Sequence, residues 1–214
     1  MRNQIARFGI GVALAGSLLI SGGTAAQGAT SEGQEGLLPL GSAAPDFHIK
    51  DVVSGKTVSL SDFAGKKALL VIFICRHCPY VKHIQSELAR LGRDYADKEA
   101  GIAAISANDP DGVPEDAPEK LKEMAQDQGF VFPFLFDEDQ SVAKAYTAVC
   151  TPDCFIFDGQ RKLVYRGQFD ASRPGGREPA TGRDVRTAID AVLAGRPVPA
   201  EQKPSVGCSI KWKR

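Results

Sequence analysis

Long apolar runs alternate with amphipathic segments along most of the chain. The run KALLVIFI at 67–74 is rich in β-branched residues, which is typical of a central strand covered on both faces. GIAAISAND at 101–109 predicts a second buried strand. After Cys78 the apolar residues recur at intervals of three and four, which predicts a helix with one buried face made of Val81, Ile84, Leu88, Leu91 and Tyr95.

Further strands and helices are predicted before and after these central elements. The spacing predicts two short strands over 47–52 and 56–60, helices over 118–128 and 139–147, and a short extended segment at FVFPFLFD. CFIFD and KLVYRGQF flank Asp158-Gly159-Gln160 and predict a hairpin. A last helix is expected from Thr181, because Thr181 and Asp184 have the spacing of a capping box. Together these elements predict an α/β fold, with a central mixed β-sheet flanked by helices.

The N-terminus has the pattern of a secretory signal peptide. Arg2 and Arg7 lie beside an apolar stretch at 8–20, and small residues follow it up to an expected cleavage before Gln27. The stretch is shorter than the roughly 20 apolar residues of a spanning helix, although an uncleaved anchor is an open alternative. We therefore expect a signal peptide at 1–26, a flexible lead-in at 27–40, one domain at 41–197 and a C-terminal tail at 198–214. This layout predicts an exported, periplasmic protein.

Composition removes several function classes. The 26 basic and 26 acidic residues balance, and loss of two arginines with the signal peptide would leave a charge of about −2. No basic stripe suggests nucleic acid, and no later apolar run suggests that the mature form is embedded in a membrane. The five cysteines are an odd number, and a domain of this size does not need disulfides to bury a core.

The cysteine pair at 75 and 78 lies where the buried strand gives way to the helix. Backbone N–H groups and the helix dipole favour an anion at such a place, which lowers the pKa of a thiol. Cys78 lies one turn from Cys75, Pro79 suits the first turn of a helix, and Arg76 and His77 add positive charge beside the thiolate. The pattern predicts a redox-active dithiol in which Cys75 and Cys78 are catalytic and Arg76 and His77 tune the potential.

A metal site is the alternative for a Cys-x-x-Cys pair. A structural zinc site needs a second pair with similar spacing, and Cys150 with Cys154 is a poor match because a proline lies between them. Haem attachment needs histidine after the second cysteine, where this chain has Pro79. We therefore expect no metal and no cofactor.

Four segments together resemble the thioredoxin-like superfamily: APDF, VSLSDFAGK, the strand leading into CRHCP, and TPDCFIFDGQRKLVYRGQ. The resemblance covers about 40–195 and is strongest for the exported redoxin branch, which is AhpC/TSA-like and includes both peroxiredoxin-like and thiol–disulfide oxidoreductase proteins. It implies a thioredoxin-like fold, here with an N-terminal β-hairpin extension. It also implies a cis Thr151–Pro152 bond that faces the cysteine pair and lets the backbone of Thr151 bind an extended substrate segment.

The other three cysteines leave alternatives open. By the same resemblance Cys150 lies near the active-site surface, as an accessory thiol or as a packed small residue. Cys154 begins the following strand and is expected to be buried. Cys208 is either a resolving thiol for a partner subunit or a free or structural cysteine of the tail.

Three functions fit these residues. The leading one is thiol–disulfide exchange with a redox partner protein or a thiol substrate, in either direction. The second is a peroxiredoxin-like peroxidase with Cys75 as the peroxidatic cysteine. Ala68 and Ile72 stand where such enzymes carry proline and a hydroxyl residue, which weakens that alternative. The third is a non-enzymatic binding module gated by a Cys75–Cys78 bond.

Overall fold

The structure is a computed structural model that describes residues 36–214. The expected signal peptide and most of the expected lead-in lie outside the described residues. Within 36–214, none of the helices combines the length and hydropathy that crossing a bilayer requires.

Most strands join one seven-stranded mixed sheet, as predicted. The strands are β1 (His48–Asp51), β2 (Thr57–Ser59), β3 (Ala68–Phe73), β4 (Ala100–Ser106), β5 (Phe134–Phe136), β6 (Cys150–Thr151), β7 (Asp153–Phe157), β8 (Leu163–Gly167) and β9 (Cys208–Ser209). The order in the large sheet is β2-β1-β5-β4-β3-β7-β8, and β6 pairs separately with β9. β4 is parallel to β3 and β5, whereas β7 is antiparallel to β3 and β8. The predicted N-terminal hairpin, β1–β2, extends the sheet through an antiparallel pairing with β5.

The helices are α1 (Pro79–Tyr95), α2 (Pro118–Gln128), α3 (Ser141–Ala145) and α4 (Arg183–Leu193). All five apolar positions predicted for the inner face of α1 are buried. The capping box predicted at Thr181 is wrong, because the N-cap of α4 is Gly182 and has no side-chain cap. Instead the carboxylate of Asp170 accepts the backbone N–H groups of Thr181 and Gly182, each at 2.7 Å.

Strand β3 is buried on both faces, which explains its continuous apolar sequence. Leu70 and Ile72 face a core shared with α1, α2 and α4, whereas Val71 and Phe73 face a second core that contains Tyr146. Full burial of such side chains stabilises the fold by about 1.5–3 kcal/mol each. The chain therefore leaves a rigid, central strand immediately before Cys75.

The C-terminal tail packs against the domain. β9 pairs antiparallel with β6, and the next residue, Ile210, is buried with 4% of its surface exposed. The backbone of Lys211 donates to Asn108 and accepts from Gln140, at 2.8 and 2.9 Å. These contacts bring the tail to the end of β3 from which the cysteine pair emerges.

Candidate active site

Cys75 and Cys78 lie in the short connection between β3 and α1. Cys78 is the N-cap of α1 and Pro79 is the first helical residue, so the helix begins after Cys78 as predicted, and Cys75, expected at or just before the helix N-terminus, lies in the connection that precedes the cap. Both cysteines are free and have no exposed surface. The two thiols are close enough to interact, since Cys78 raises the pKa of Cys75 and Cys75 lowers the pKa of Cys78. The expected juxtaposition of the two sulfurs is therefore present in the reduced form.

The Thr151–Pro152 bond is cis and lies opposite the cysteine pair, as the resemblance implied. The Sγ of Cys75 is 3.1 Å from the hydroxyl oxygen of Thr151. The Sγ of Cys78 is 3.1 Å from the carbonyl oxygen of the same residue. Thr151 thus contacts both sulfurs, one through its side chain and one through its backbone.

The strand edge expected to receive a substrate is occupied by the chain's own tail. In the β6–β9 pairing Thr151 is the partner of Cys208, and Cys150 is the partner of Ser209. Cys208 brings its sulfur to 2.9 Å from the Sγ of Cys78. The two sulfurs are too far apart for a disulfide, whose bond length is about 2.05 Å, but close enough for direct contact. The sequence did not place Cys208 in the site.

A buried acid, Asp116, holds the loop between the two cysteines. Its Oδ1 accepts the backbone N–H groups of Arg76 and His77 at 2.8 and 3.1 Å. Its Oδ2 is 2.5 Å from Nδ1 of His77 and accepts the side-chain amide of Asn108 at 2.8 Å. Asp116 has no exposed surface, and all four contacts are to donors. We expect this carboxylate to fix the conformation that keeps the sulfurs together.

The two cations expected beside the thiolate are paired with acids. The guanidinium of Arg76 lies 3.6 Å from the carboxylate of Glu123 on α2, and the side chain is one-third exposed. Nδ1 of His77 is 3.5 Å from the Sγ of Cys75 but closer to Asp116. Asp116 therefore offsets the positive charge that the sequence predicted at Cys75.

This environment places the negative charge of the dithiol on Cys78. The hydrogen bond to Cys78, burial and the charge of Asp116 all raise the pKa of Cys75, which overturns the prediction of a low value there. The hydrogen bond from Cys75 lowers the pKa of Cys78 to about 4, with further help from Cys208 and the N–H of Val81 and in opposition to burial. The Thr151 carbonyl opposes this effect, since it accepts a hydrogen bond only from a protonated sulfur.

Cys150 and Cys154 are both buried. Cys150 is buried, its sulfur lies 3.7 Å from the carbonyl of Pro152, and burial raises its pKa to about 12. These features favour the packed residue over the accessory thiol. Cys154 is fully buried in β7, as predicted.

Cys75, His77 and Asp116 also form a set of three metal-ligand types whose donor atoms lie within 4.8 Å of one another. The oxygens of Asp116 already accept four hydrogen bonds, one of them from His77. A metal ion would have to replace the contact between His77 and Asp116. The arrangement therefore fits a hydrogen-bonded positioning group better than a metal centre.

Known proteins resemble this chain over most of its length. The AhpC/TSA family model matches residues 40–166. A thiol–disulfide oxidoreductase of Geobacillus kaustophilus named ResA is 30% identical over 132 residues, which are 60% of this chain and 70% of that protein. A candidate peroxiredoxin of Mycobacterium tuberculosis is 29% identical over 108 residues, half of this chain. The match spans 63% of the length of that relative.

Solved structures match a larger share of this chain. The crystal structure of an uncharacterised conserved protein from Geobacillus kaustophilus is 53% identical, with a TM-score of 0.81, and the match covers 83% of this chain and 94% of that one. The thioredoxin domain of a Bacteroides vulgatus thiol–disulfide oxidoreductase is 23% identical, with a TM-score of 0.55, over 71% of this chain and 99% of that one. The second match is informative about the fold alone, which is thioredoxin-like.

Proposed function

The chain belongs to the AhpC/TSA family, and on that premise we propose that it is a thiol–disulfide oxidoreductase in which Cys75 and Cys78 are the catalytic pair. One observation carries the proposal: both sulfurs lie against Thr151, that of Cys75 3.1 Å from its hydroxyl oxygen and that of Cys78 3.1 Å from its carbonyl oxygen. Two thiols that lie one helical turn apart can be converted to a disulfide and back by thiol–disulfide exchange. Two of the similar proteins have names of the same reaction class, one a thiol–disulfide oxidoreductase and one a candidate peroxiredoxin.

The proposed reaction is two successive thiol–disulfide exchanges. The Cys75 sulfur attacks a substrate disulfide and forms a mixed disulfide, and one substrate thiolate leaves. The Cys78 sulfur then attacks Cys75, which releases the second substrate thiolate and forms the Cys75–Cys78 bond. The shared proton moves between the sulfurs, because Cys78 holds the charge in the reduced pair and Cys75 needs it for attack. An external dithiol resets the pair, or the same steps run in reverse as an oxidation.

Thr151 and Asp116 have separate roles in this proposal. The Thr151 hydroxyl, 3.1 Å from the Cys75 sulfur, donates to the thiolate when the charge moves there. Asp116 holds the loop through two backbone N–H groups and is a positioning residue. Arg76 and His77 would modulate the potential less than their charges suggest, because both have acidic partners.

Insulin reduction with dithiothreitol as the electron donor tests the proposal. We expect turnover by the wild type, and loss of that turnover in Cys75→Ser and in Cys78→Ser. Cys154→Ala is the control for loss of a different thiol, since that cysteine is fully buried in β7. Activity in either single variant equal to that of the wild type would refute the catalytic pair.

Peroxidase activity is the second candidate function. The contact between Thr151 and Cys75 favours it, because that hydroxyl could hold a peroxide although Ala68 and Ile72 cannot. The absence of the peroxiredoxin proline and hydroxyl residue at Ala68 and Ile72 weighs against it. Competition kinetics with hydrogen peroxide distinguish the two functions, since a Cys75 rate no faster than that of a free thiolate eliminates the peroxidase.

We also propose that the protein acts after export, on partner proteins or small thiols outside the cytoplasm. This proposal depends on the signal-peptide pattern at 1–26. Processing before Gln27, read by N-terminal sequencing of the secreted protein, is the expected result. A retained N-terminus in the cytoplasmic fraction would overturn it.

A further inference from the structure

The sulfur of Cys208 belongs to the cluster formed by the catalytic pair. It lies 2.9 Å from the Sγ of Cys78, although 130 residues separate the two cysteines in the chain. Cys75 and Cys78 have no exposed surface, whereas Cys208 is partly exposed. A reductant in solution therefore meets Cys208 before it meets either member of the pair.

We propose that Cys208 is a third redox cysteine, which exchanges with the Cys75–Cys78 disulfide and carries it to the surface as a Cys78–Cys208 disulfide. The proposal rests on the proposed function, because the Cys75–Cys78 bond must form first. Bond formation needs the two sulfurs to approach by about 0.9 Å, from 2.9 Å to the disulfide length of about 2.05 Å.

The exchange is balanced without any external oxidant. Cys208 loses its proton and its sulfur attacks the Sγ of Cys78. The Cys75–Cys78 bond breaks as the Cys78–Cys208 bond forms, and Cys75 leaves as a thiolate that takes up a proton. A dithiol or a pair of thiols in solution then reduces the Cys78–Cys208 bond and supplies two electrons.

The electrostatics of the site favour ionisation of Cys208 once the pair is oxidised. In the reduced protein, burial and the negative charge on Cys78 raise the pKa of Cys208 to about 11, while Lys211 acts in the opposite sense. Formation of the Cys75–Cys78 bond removes the charge from Cys78. Cys208 therefore ionises more readily once the pair is oxidised, which is when its attack is needed.

The tail backbone is built for this close approach. A Cβ atom on Gly207 would lie 2.6 Å from the carbonyl carbon of Thr151, closer than real Cβ contacts. Earlier in the tail, the carbonyl of Lys203 accepts a hydrogen bond from the backbone N–H of Gln168 at 3.0 Å. Ser205 donates to Asp153 at 2.6 Å. Glycine at 207 thus lets the tail pack directly on the cis-proline loop and sets the position of Cys208.

Disulfide mapping by mass spectrometry, after equilibration in one glutathione redox buffer, tests the inference. We expect Cys75→Ser to form Cys78–Cys208, Cys208→Ser to form Cys75–Cys78, and the wild type to contain both. If Cys208→Ser forms the Cys75–Cys78 bond and a folded Cys75→Ser does not form Cys78–Cys208, the redox role of Cys208 is refuted and the proposed function stands. If neither bond forms, the proposed function fails as well.

A second variant tests the geometry without removing a sulfur. Gly207→Ala should reduce the fraction of Cys78–Cys208 several-fold and leave Cys75–Cys78 intact, because the added methyl group displaces the tail. Gly159→Ala is the control, since its Cβ would meet no atom closer than 3.6 Å. An unchanged fraction in Gly207→Ala would contradict the proposal.

The proposed role of Cys208 also predicts a difference in reduction rate. The oxidised Cys208→Ser variant should be reduced by external glutathione several-fold more slowly than the oxidised wild type, with Cys154→Ala at the wild-type rate. Equal rates for Cys208→Ser and the wild type would show that electrons reach the pair without Cys208.

Discussion

The carboxylate of Asp116 lies 2.5 Å from Nδ1 of His77 and also accepts the backbone N–H of that residue at 3.1 Å. One buried acid thus holds both the side chain and the main chain of the loop between the cysteines. Its charge opposes ionisation of Cys75, the sulfur proposed to attack the substrate. The site therefore combines a fixed loop with a nucleophile whose charge is held on its neighbour.

Asp116→Asn should lower the pKa of Cys75, because it removes a negative charge beside that sulfur. The pH profile of Cys75 alkylation by iodoacetamide should shift to lower pH. The amide cannot accept from all four donors, so the free energy of unfolding should fall by about 1–3 kcal/mol. Glu115→Gln, at a neighbouring exposed acid, is the control and should change neither quantity. An unshifted profile in Asp116→Asn would contradict this account of the charge.

Thr151→Val should raise the pKa of Cys75, since the hydroxyl of Thr151 favours the thiolate. A hydrogen bond to a charged group contributes about 1.5–3 kcal/mol, so the rate of Cys75 alkylation at neutral pH should fall at least tenfold. Thr151→Ser keeps the hydroxyl and should restore most of the rate. Equal rates for the valine and serine variants would show that the hydroxyl does not act on the sulfur.

The two predicted tuning residues should differ in their effects. Arg76→Gln should change the rate of Cys75 alkylation less than twofold, because the guanidinium is paired with Glu123 and partly exposed. His77→Ala should slow alkylation more, since it leaves the Asp116 carboxylate without its nearest partner beside Cys75. The prediction is wrong if Arg76→Gln has the larger effect.

Asp170 should stabilise the start of α4 in a pH-dependent way. Burial alone would raise the pKa of Asp170, but hydrogen bonds from Ser172, Thr181 and Gly182 outweigh it and hold the pKa below its usual range. The stabilisation is therefore complete above the unfolded-state pKa of about 3.9 and is lost as the pH falls through the lower folded value. Urea unfolding should show that Asp170→Asn costs most near pH 7 and progressively less below about pH 4. A constant difference across this range would contradict it.

The sequence predicted the parts of the fold that depend on local pattern. Strand β3 and the buried face of α1 followed from runs and spacings that burial imposes on every sheet and helix of this kind. The cis bond at Pro152 followed from the resemblance and not from the residues themselves. The start of α4 was mispredicted because a distant carboxylate, Asp170, caps the backbone that Thr181 was expected to cap.

The site contains two residues that sequence reasoning did not find. Asp116 is one of four acids in the loop that also contains Asp109, Asp111 and Glu115, and no local pattern indicates which of them is buried. Cys208 reaches the pair through a two-residue strand, which is too short to give a periodic signal. Both are brought to Cys75 and Cys78 by tertiary packing, and an odd cysteine count was the one hint available.

The sequence also could not show that the pKa of Cys75 is raised and that of Cys78 lowered, because these shifts depend on tertiary packing. The helix terminus indicated a stabilised thiolate, but the residue at the N-cap is Cys78. Pro79 was predicted in the first turn, and the structure places it at the first helical position, directly after the cap. A strand that ends at Phe73 leaves Cys75 in the connection, where the charge of Asp116 helps to raise its pKa.

Trapping of a mixed disulfide tests the central claim most directly. A Cys78→Ser, Cys208→Ser double variant should react with a cystine-containing peptide and accumulate one covalent adduct, detected by intact mass and mapped to Cys75. The adduct should persist because neither resolving sulfur is present. Absence of an adduct from the folded variant, or an adduct on Cys150 or Cys154 with Cys75 unmodified, would contradict the assignment of Cys75 as the attacking sulfur.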